Sequence, residues 1–261
     1  MAKPMTLNIC HLYPDLMDTY GDRGNILTIQ YRCKQRGIKV IYSPLTINDK
    51  LLANYDLYFF GGGQDQAQCI VEHDLAKKSA ALRQAVDRGA VLLSICGGYQ
   101  LLQKYFVTTE GKEIPGIGLF NAFTEASETR MMNNLLIEIN PKLLSNIQKT
   151  YQSTMNHEPR TMNHLIGFEN HSGKTYLEEG TMPMGKVLKG SGNNGQDKTE
   201  GAVYKNAFGC YLHGSLLPKN PHFADLLISK ALEKNYGKIK LKPLDDSIEW
   251  QAHNSAISII R

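Results

Sequence analysis

The chain has 261 residues, 42% of them hydrophobic and 21% charged, an ordinary balance for a globular protein and enough length to bury a sizeable core. Its formal net charge of +4 comes from 29 basic and 25 acidic residues spread along the sequence without a Lys/Arg block, which argues against a nucleic-acid or membrane-surface segment. The five cysteines share no metal-ligand spacing, no run of roughly 18 apolar residues occurs, and the opening segment has no secretory h-region; the expectation is a reduced, cytoplasmic, metal-free protein forming a single domain over 1–261.

In chain order, 7–12 reads as a buried strand, and Asp22-Arg23-Gly24-Asn25 leads into a helix over 26–35 that Gly37 closes. Strands follow at 39–43 and 56–60, the second ending in Gly61-Gly62-Gly63. A long helix over 65–88, closed by Gly89, leads to a strand at 91–95 that runs directly into Cys96-Gly97-Gly98. Strands alternating with helices through short connections imply parallel pairing. Near-continuous apolar strands such as Val91-Leu92-Leu93 imply a sheet covered on both faces.

The second half changes character. Short strands are predicted at 118–122, 135–139, 165–168, 174–177, 186–188, 202–204 and 209–212, as antiparallel additions and the last strands of the sheet. The polar stretch 141–163 lacks clean periodicity and reads as an insertion or surface excursion. Helices over 222–235 and 246–260 finish the chain, and no linker divides it.

Ser94-Ile95-Cys96-Gly97-Gly98-Tyr99-Gln100 places a buried strand, a cysteine and a glycine-led helix in direct succession. That is the layout of a nucleophile elbow, a sharp strand-to-helix turn that exposes one side chain above the sheet edge. Gly97 and Gly98 have a steric reason, because the turn packs backbone tightly. A helix N-terminus favours negative charge, hence the thiolate form of a nucleophile, and the Gly97 N–H would point at a developing oxyanion. A free cysteine is most often a small buried hydrophobe, but this succession of residue types is what a nucleophile needs.

A thiolate nucleophile needs a base that later protonates the leaving amine, and histidine suits both tasks. Among the eight histidines, His213 ends the strand-like run Cys210-Tyr211-Leu212-His213-Gly214, and open α/β sheets hold their chemistry at such carboxyl ends. His171, in Glu169-Asn170-His171-Ser172-Gly173, is the rival. Gly61-Gly62-Gly63 is either a plain turn or a second source of an oxyanion-binding N–H.

With these residues the chain resembles the class I, triad-type glutamine amidotransferases. More narrowly it is similar to the cobyric-acid-synthase-like branch, and within it to the glutaminase subunits of lipid II isoglutaminyl synthases. That likeness rests on Leu12-Tyr13-Pro14-Asp15-Leu16-Met17, Tyr20-Gly21-Asp22-Arg23-Gly24-Asn25, Gly167-Phe168-Glu169-Asn170-His171, Gly192-Asn193-Asn194 and Tyr211-Leu212-His213-Gly214. The resemblance implies a flavodoxin-like α/β fold, with a mostly parallel central sheet, helices on both faces and an antiparallel extension. It implies that Cys96 attacks the carboxamide of glutamine, with His213 as base and then acid. Gly97, with Gly62 or Gly63, would hold the oxyanion; Arg130 would bind the glutamine α-carboxylate, a bidentate task that suits a guanidinium, and Gln100 would contact substrate.

The same resemblance implies no cofactor in this chain. ATP and the lipid-linked substrate would sit on a Mur-ligase-like synthetase partner (MurT), which uses the ammonia to amidate D-glutamate in lipid II, without membrane insertion by this chain. The lack of a G-x-x-x-x-G-K-[ST] phosphate loop agrees with that division. Ser215 stands where a glutamate commonly follows the histidine, so the carboxylate that orients the imidazole is expected from the partner chain, with weak glutaminase activity until the complex forms. The alternatives are a corrinoid-type amidotransferase subunit, a cysteine hydrolase of peptides or small metabolites, and a non-catalytic binding subunit.

Overall fold

The computed structural model describes residues 4–154 and 161–260. The first half alternates as expected: β1 (Thr6–Leu12), α1 (Arg23–Gln35), β2 (Lys39–Leu45), β3 (Leu57–Phe60), α2 (Asp65–Asp87), β4 (Val91–Ile95) and α3 (Gly97–Leu101). There follow β5 (Tyr105–Val107), β6 (Glu113–Pro115), β7 (Ala122–Ile139), α4 (Pro141–Thr150), β8 (His164–Leu177) and β9 (Gly185–Lys189). The chain ends with β10 (Thr199–Glu200), β11 (Ala202–Tyr204), β12 (Ala207–Cys210), α5 (Pro221–Tyr236) and α6 (Ser247–Ile259).

The central sheet has the order β11-β12-β4-β3-β1-β2, parallel throughout except for the β11–β12 pair. Every residue of β3, β4 and β12 is buried, which is why these segments are apolar without alternation. At the edge, β2 exposes Lys39, Ile41 and Pro44, and the lysine and proline discourage pairing with another chain. No helix among the described residues is long and apolar enough to cross a membrane.

The second sheet has the order β10-β9-β7-β5-β6, with β8 also paired to β7. Here the sequence reading needs correction. The strands expected at 165–168 and 174–177 are one strand, β8, because Glu169, His171 and Gly173 are its buried positions rather than a break. Residues 118–121 are not strand; Gly118 has φ +63°, and β7 begins at Ala122. The stretch read as an excursion over 141–163 contains α4, whose Leu143 and Ile147 are buried. Asn140 caps it by accepting a hydrogen bond from the Lys142 N–H at 3.0 Å, and Pro141 opens its first turn. The part of that stretch at 155–160 lies outside the described residues.

A buried ionic cluster ties the C-terminal helices to α1. Arg32 donates to Asp225 at 2.7 Å and bidentately to Asp246 at 2.6 and 3.0 Å, Arg36 pairs with Asp225 at 2.7 Å, and Tyr151 donates to Asp246 at 2.8 Å. Two guanidinium and two carboxylate groups balance, so each buried charge has a partner. Removing one partner leaves a buried charge alone, so Arg32→Leu should lower stability by about 3–5 kcal/mol in urea unfolding. A loss below about 1 kcal/mol would mean that this cluster behaves like an exposed pair.

Candidate active site

The strand order places the carboxyl ends of β12, β4, β3 and β1 side by side, so the residues that follow them meet. Cys96 follows β4 with φ +48° and ψ −109°, the positive-φ backbone of a nucleophile elbow. Its neighbours must be glycine. A Cβ on Gly97 would lie 2.7 Å from the Gly63 carbonyl oxygen, and one on Gly98 would lie 2.7 Å from the carbonyl oxygens of both Gly61 and Phe60. His213 follows β12, and its backbone is pinned to β8 from both sides: its N–H donates to Phe168 O at 2.8 Å, and the Phe168 N–H donates to His213 O at 3.1 Å.

The structure brings one residue to this site that sequence reasoning missed. Asp22 enters α1 after the short 3-10 turn Thr19–Gly21 at the end of β1, and its Oδ1 lies 3.1 Å from His213 Nδ1. Both side chains are fully buried. The expected carboxylate is therefore present in this chain, in the position where a partner's acid was anticipated. A signal was available: Asp22 stands in the first strand-to-helix turn, the place where parallel sheets gather functional groups.

His213 Nε2 has no nitrogen or oxygen partner among the described residues. Burial lowers the affinity of this imidazole for a proton, but the charges of Cys96 and Asp22 and their hydrogen bonds outweigh it, raising the pKa from 6.5 to about 10. The His213 imidazole is thus held protonated, with Asp22 fixing the ring.

Asp22 also corrects the oxyanion assignment. Its second oxygen, Oδ2, accepts the Gly62 N–H at 2.8 Å, so that donor is taken. A Cβ at Gly62 would lie 2.8 Å from His213 Cε1, so this glycine makes room for the imidazole instead. The N–H groups of Gly63 and Gly97 have no acceptor among the described residues, and the two backbones abut. They are the remaining pair suited to an oxyanion.

Cys96 opens into a pocket of about 520 Å³, whose lining includes Gln68, Gln100, Arg130, Asn170 and His171. Arg130 reaches it through the register shift in β7 between Ala126 and Met131, a bulge of the kind that re-aims side chains. Its Nε donates to Asn170 Oδ1 at 2.7 Å and its Nη2 to Tyr20 Oη at 3.1 Å. Tyr20 in turn sets its ring against His213, 5.1 Å between centroids. Gln100 is buried beneath, donating to Tyr211 Oη at 3.2 Å. His171 stacks on Tyr211 at 3.6 Å and pairs Nδ1 with the Gly173 carbonyl at 2.7 Å, so it packs the pocket wall and is not the partner of Cys96. No group of three metal-ligating side chains occurs among the described residues.

With the folded pKa of His213 above its ordinary 6.5, the stability it contributes is complete below about pH 6.5 and is lost as pH rises through about 10. Nitrogen-15 NMR of the histidines should find His213 protonated through neutral pH, with a lower midpoint in Asp22→Asn. A midpoint at the ordinary value in the wild type would contradict the arrangement.

Comparison with known proteins agrees with the geometry. The family model for the CobB/CobQ-like glutamine amidotransferase domain matches residues 8–221. Subunit GatD of the glutamine-hydrolysing lipid II isoglutaminyl synthase from Streptococcus pneumoniae (strain ATCC BAA-255 / R6) is 38% identical over 251 residues, covering 95% of this chain and 89% of the relative. The same subunit from Staphylococcus aureus (strain N315) is 36% identical over 249 residues, covering 94% and 93%. Among solved structures, a glutamine amidotransferase superposes with a TM-score of 0.52 at 14% identity, over 85% of this chain and 98% of that one. The glutaminase domain of Trypanosoma brucei CTPS superposes with a TM-score of 0.50 at 11% identity, over 90% and 98%. These two likenesses speak to the fold alone. The chain belongs to the CobB/CobQ-like glutamine amidotransferase family.

Proposed function

We propose that this chain is the glutaminase subunit of a lipid II isoglutaminyl synthase. It hydrolyses L-glutamine and passes ammonia to a Mur-ligase-like synthetase subunit, MurT, for amidation of D-glutamate in lipid II during peptidoglycan synthesis. The observations that carry the chemistry are Cys96 lining a pocket with Arg130 on its wall, and His213 held by Asp22 at the neighbouring strand end. The similarity to two GatD subunits over nearly the whole chain carries the pathway. ATP and the lipid-linked substrate belong to the partner in this reading, and the setting is the cytoplasm.

The steps follow from the residues. The Cys96 thiolate attacks the carboxamide carbon, forming the C–S bond, while the N–H groups of Gly63 and Gly97 hold the oxygen as it becomes an oxyanion. His213, protonated at Nε2, gives its proton to the amide nitrogen, and the C–N bond breaks to release ammonia. Neutral His213 then takes a proton from water, whose oxygen attacks the glutamyl thioester; the C–S bond breaks and glutamate leaves with Cys96 restored as thiolate. Asp22 holds the imidazole in one orientation through both halves. At the pocket wall, Arg130 offers its guanidinium to the substrate α-carboxylate.

Glutamate release tests this directly. Cys96→Ala should abolish it with or without the synthetase partner, and Asp22→Asn should lower kcat by about 10²- to 10⁴-fold while leaving the fold intact. Release indifferent to Cys96 would remove glutamine chemistry from this site. Wild-type rates in Asp22→Asn would return the orienting acid to the partner chain.

A further inference from the structure

Tyr20 stands in the short turn between β1 and α1, two residues before Asp22, with φ 55° and ψ 27°. L-residues seldom take this left-handed backbone, and such outliers gather at functional sites. Other segments hold the turn in place. The Thr19 N–H donates to Gly62 O at 3.1 Å, and Ser215 Oγ donates to Gly21 O at 2.5 Å. Gly24 leaves room for that serine, since a Cβ there would overlap its hydroxyl. The Tyr20 side chain is 45% exposed and lines the pocket together with Cys96, Arg130 and Asn170, so core packing does not account for it.

Its ring and its hydroxyl meet different parts of the site. The ring packs edge-on against the His213 imidazole, 5.1 Å between centroids and 72° between planes. The hydroxyl lies 3.1 Å from Arg130 Nη2. A guanidinium only donates, so the phenol oxygen accepts and keeps its own hydrogen, which has no acceptor among the described residues. Arg130 has a second partner, Asn170 Oδ1, at 2.7 Å from its Nε. Both partners are neutral, so the guanidinium is oriented but its charge is not balanced, and Nη1 has no partner among the described residues. An anion at this place would complete the pairing of the guanidinium and also take the phenol hydrogen.

We propose that Tyr20 is a substrate-binding residue, whose hydroxyl donates to the α-carboxylate of glutamine while it steadies Arg130. The proposal rests on the glutaminase reading above. Two supports would then meet at the carboxylate, the clamped turn after β1 and the bulge of β7. A guanidinium on a long side chain leaves a bound carboxylate some freedom to swing, and a further donor from another element removes it. The same ring packs against His213, so the anchor for one end of the substrate is built against the base that serves the other. Selectivity follows from this. Carboxamides that carry an α-carboxylate gain the contact, and those without one do not.

The test measures steady-state glutamine hydrolysis by wild type, Tyr20→Phe, Arg130→Ala and the double variant, with the synthetase partner supplied. Tyr20→Phe removes one hydroxyl from a half-exposed side chain and keeps the ring, so the variant folds. It should raise KM for glutamine about 10-fold, the scale of a hydrogen bond to a charged group, with kcat within about 3-fold of wild type. Without Arg130 the carboxylate has lost its anchor, and Tyr20→Phe should then lower kcat/KM by less than about 3-fold. The same penalty with and without Arg130, or an unchanged KM in Tyr20→Phe, would overturn the proposal. So would a loss in kcat at level KM, which would put the hydroxyl at the reacting centre. If Arg130→Ala turns over too slowly to measure, KM and kcat of Tyr20→Phe decide. Absence of any glutamine hydrolysis by the wild type overturns this proposal and the glutaminase reading together, whereas the other contrary results leave the glutaminase reading standing.

Discussion

The architecture of the site depends on backbone approaching backbone at the carboxyl edge of the central sheet. Cys96 adopts φ +48° and ψ −109°, a conformation that costs an L-residue of order 1–3 kcal/mol. The surroundings hold it there. Gly98 donates its N–H to Gly61 O at 3.2 Å, the Cys96 N–H donates to Cys210 O at 2.8 Å, and Gly97 sits directly against Gly63. Any side chain at Gly97 or Gly98 would push the elbow away from the glycine loop. The position of Cys96 against the pocket and the pair of free N–H groups beside it are consequences of this one close contact.

On that scaffold Asp22 performs two positioning tasks with one carboxylate. One oxygen fixes His213 and the other fixes the Gly62 N–H, so the imidazole and the glycine loop cannot move independently. In a buried site such a shared contact is stronger than at the surface, because little water competes for it. The other buried thiols show what the edge position confers. Burial in the core pushes Cys10 and Cys33 up to about 12, which keeps them protonated and inert, while Cys96 alone opens into the pocket beside an imidazolium.

The parts of this arrangement governed by local chemistry could be read from the sequence. Apolar runs ending in Gly61-Gly62-Gly63 and Cys96-Gly97-Gly98 announce buried parallel strands and a tight turn, and the strand at Val91–Ile95 lies where the pattern put it. What depends on contact between distant segments could not be read. Asp22 and His213 are separated by 191 positions, and only the strand order brings them together. Gly62 resembled an oxyanion donor until the structure supplied a carboxylate for its N–H. The long strand β8 was hidden by polar residues, because Glu169 and His171 are buried for the sake of the Ser191 and Gly192 N–H groups and the Tyr211 ring rather than for apolar packing. In α4, two buried side chains on a short polar helix gave too weak a period to see.

In the proposed reaction Cys96 is the nucleophile that attacks a glutamine carboxamide. This is tested most directly by treating the wild-type chain with an electrophilic glutamine analogue and locating the adduct by peptide mass spectrometry. One covalent addition is expected, on Cys96, and excess glutamine should suppress it. Addition at the half-exposed Cys69, or labelling of Cys96 that glutamine does not protect, would contradict it.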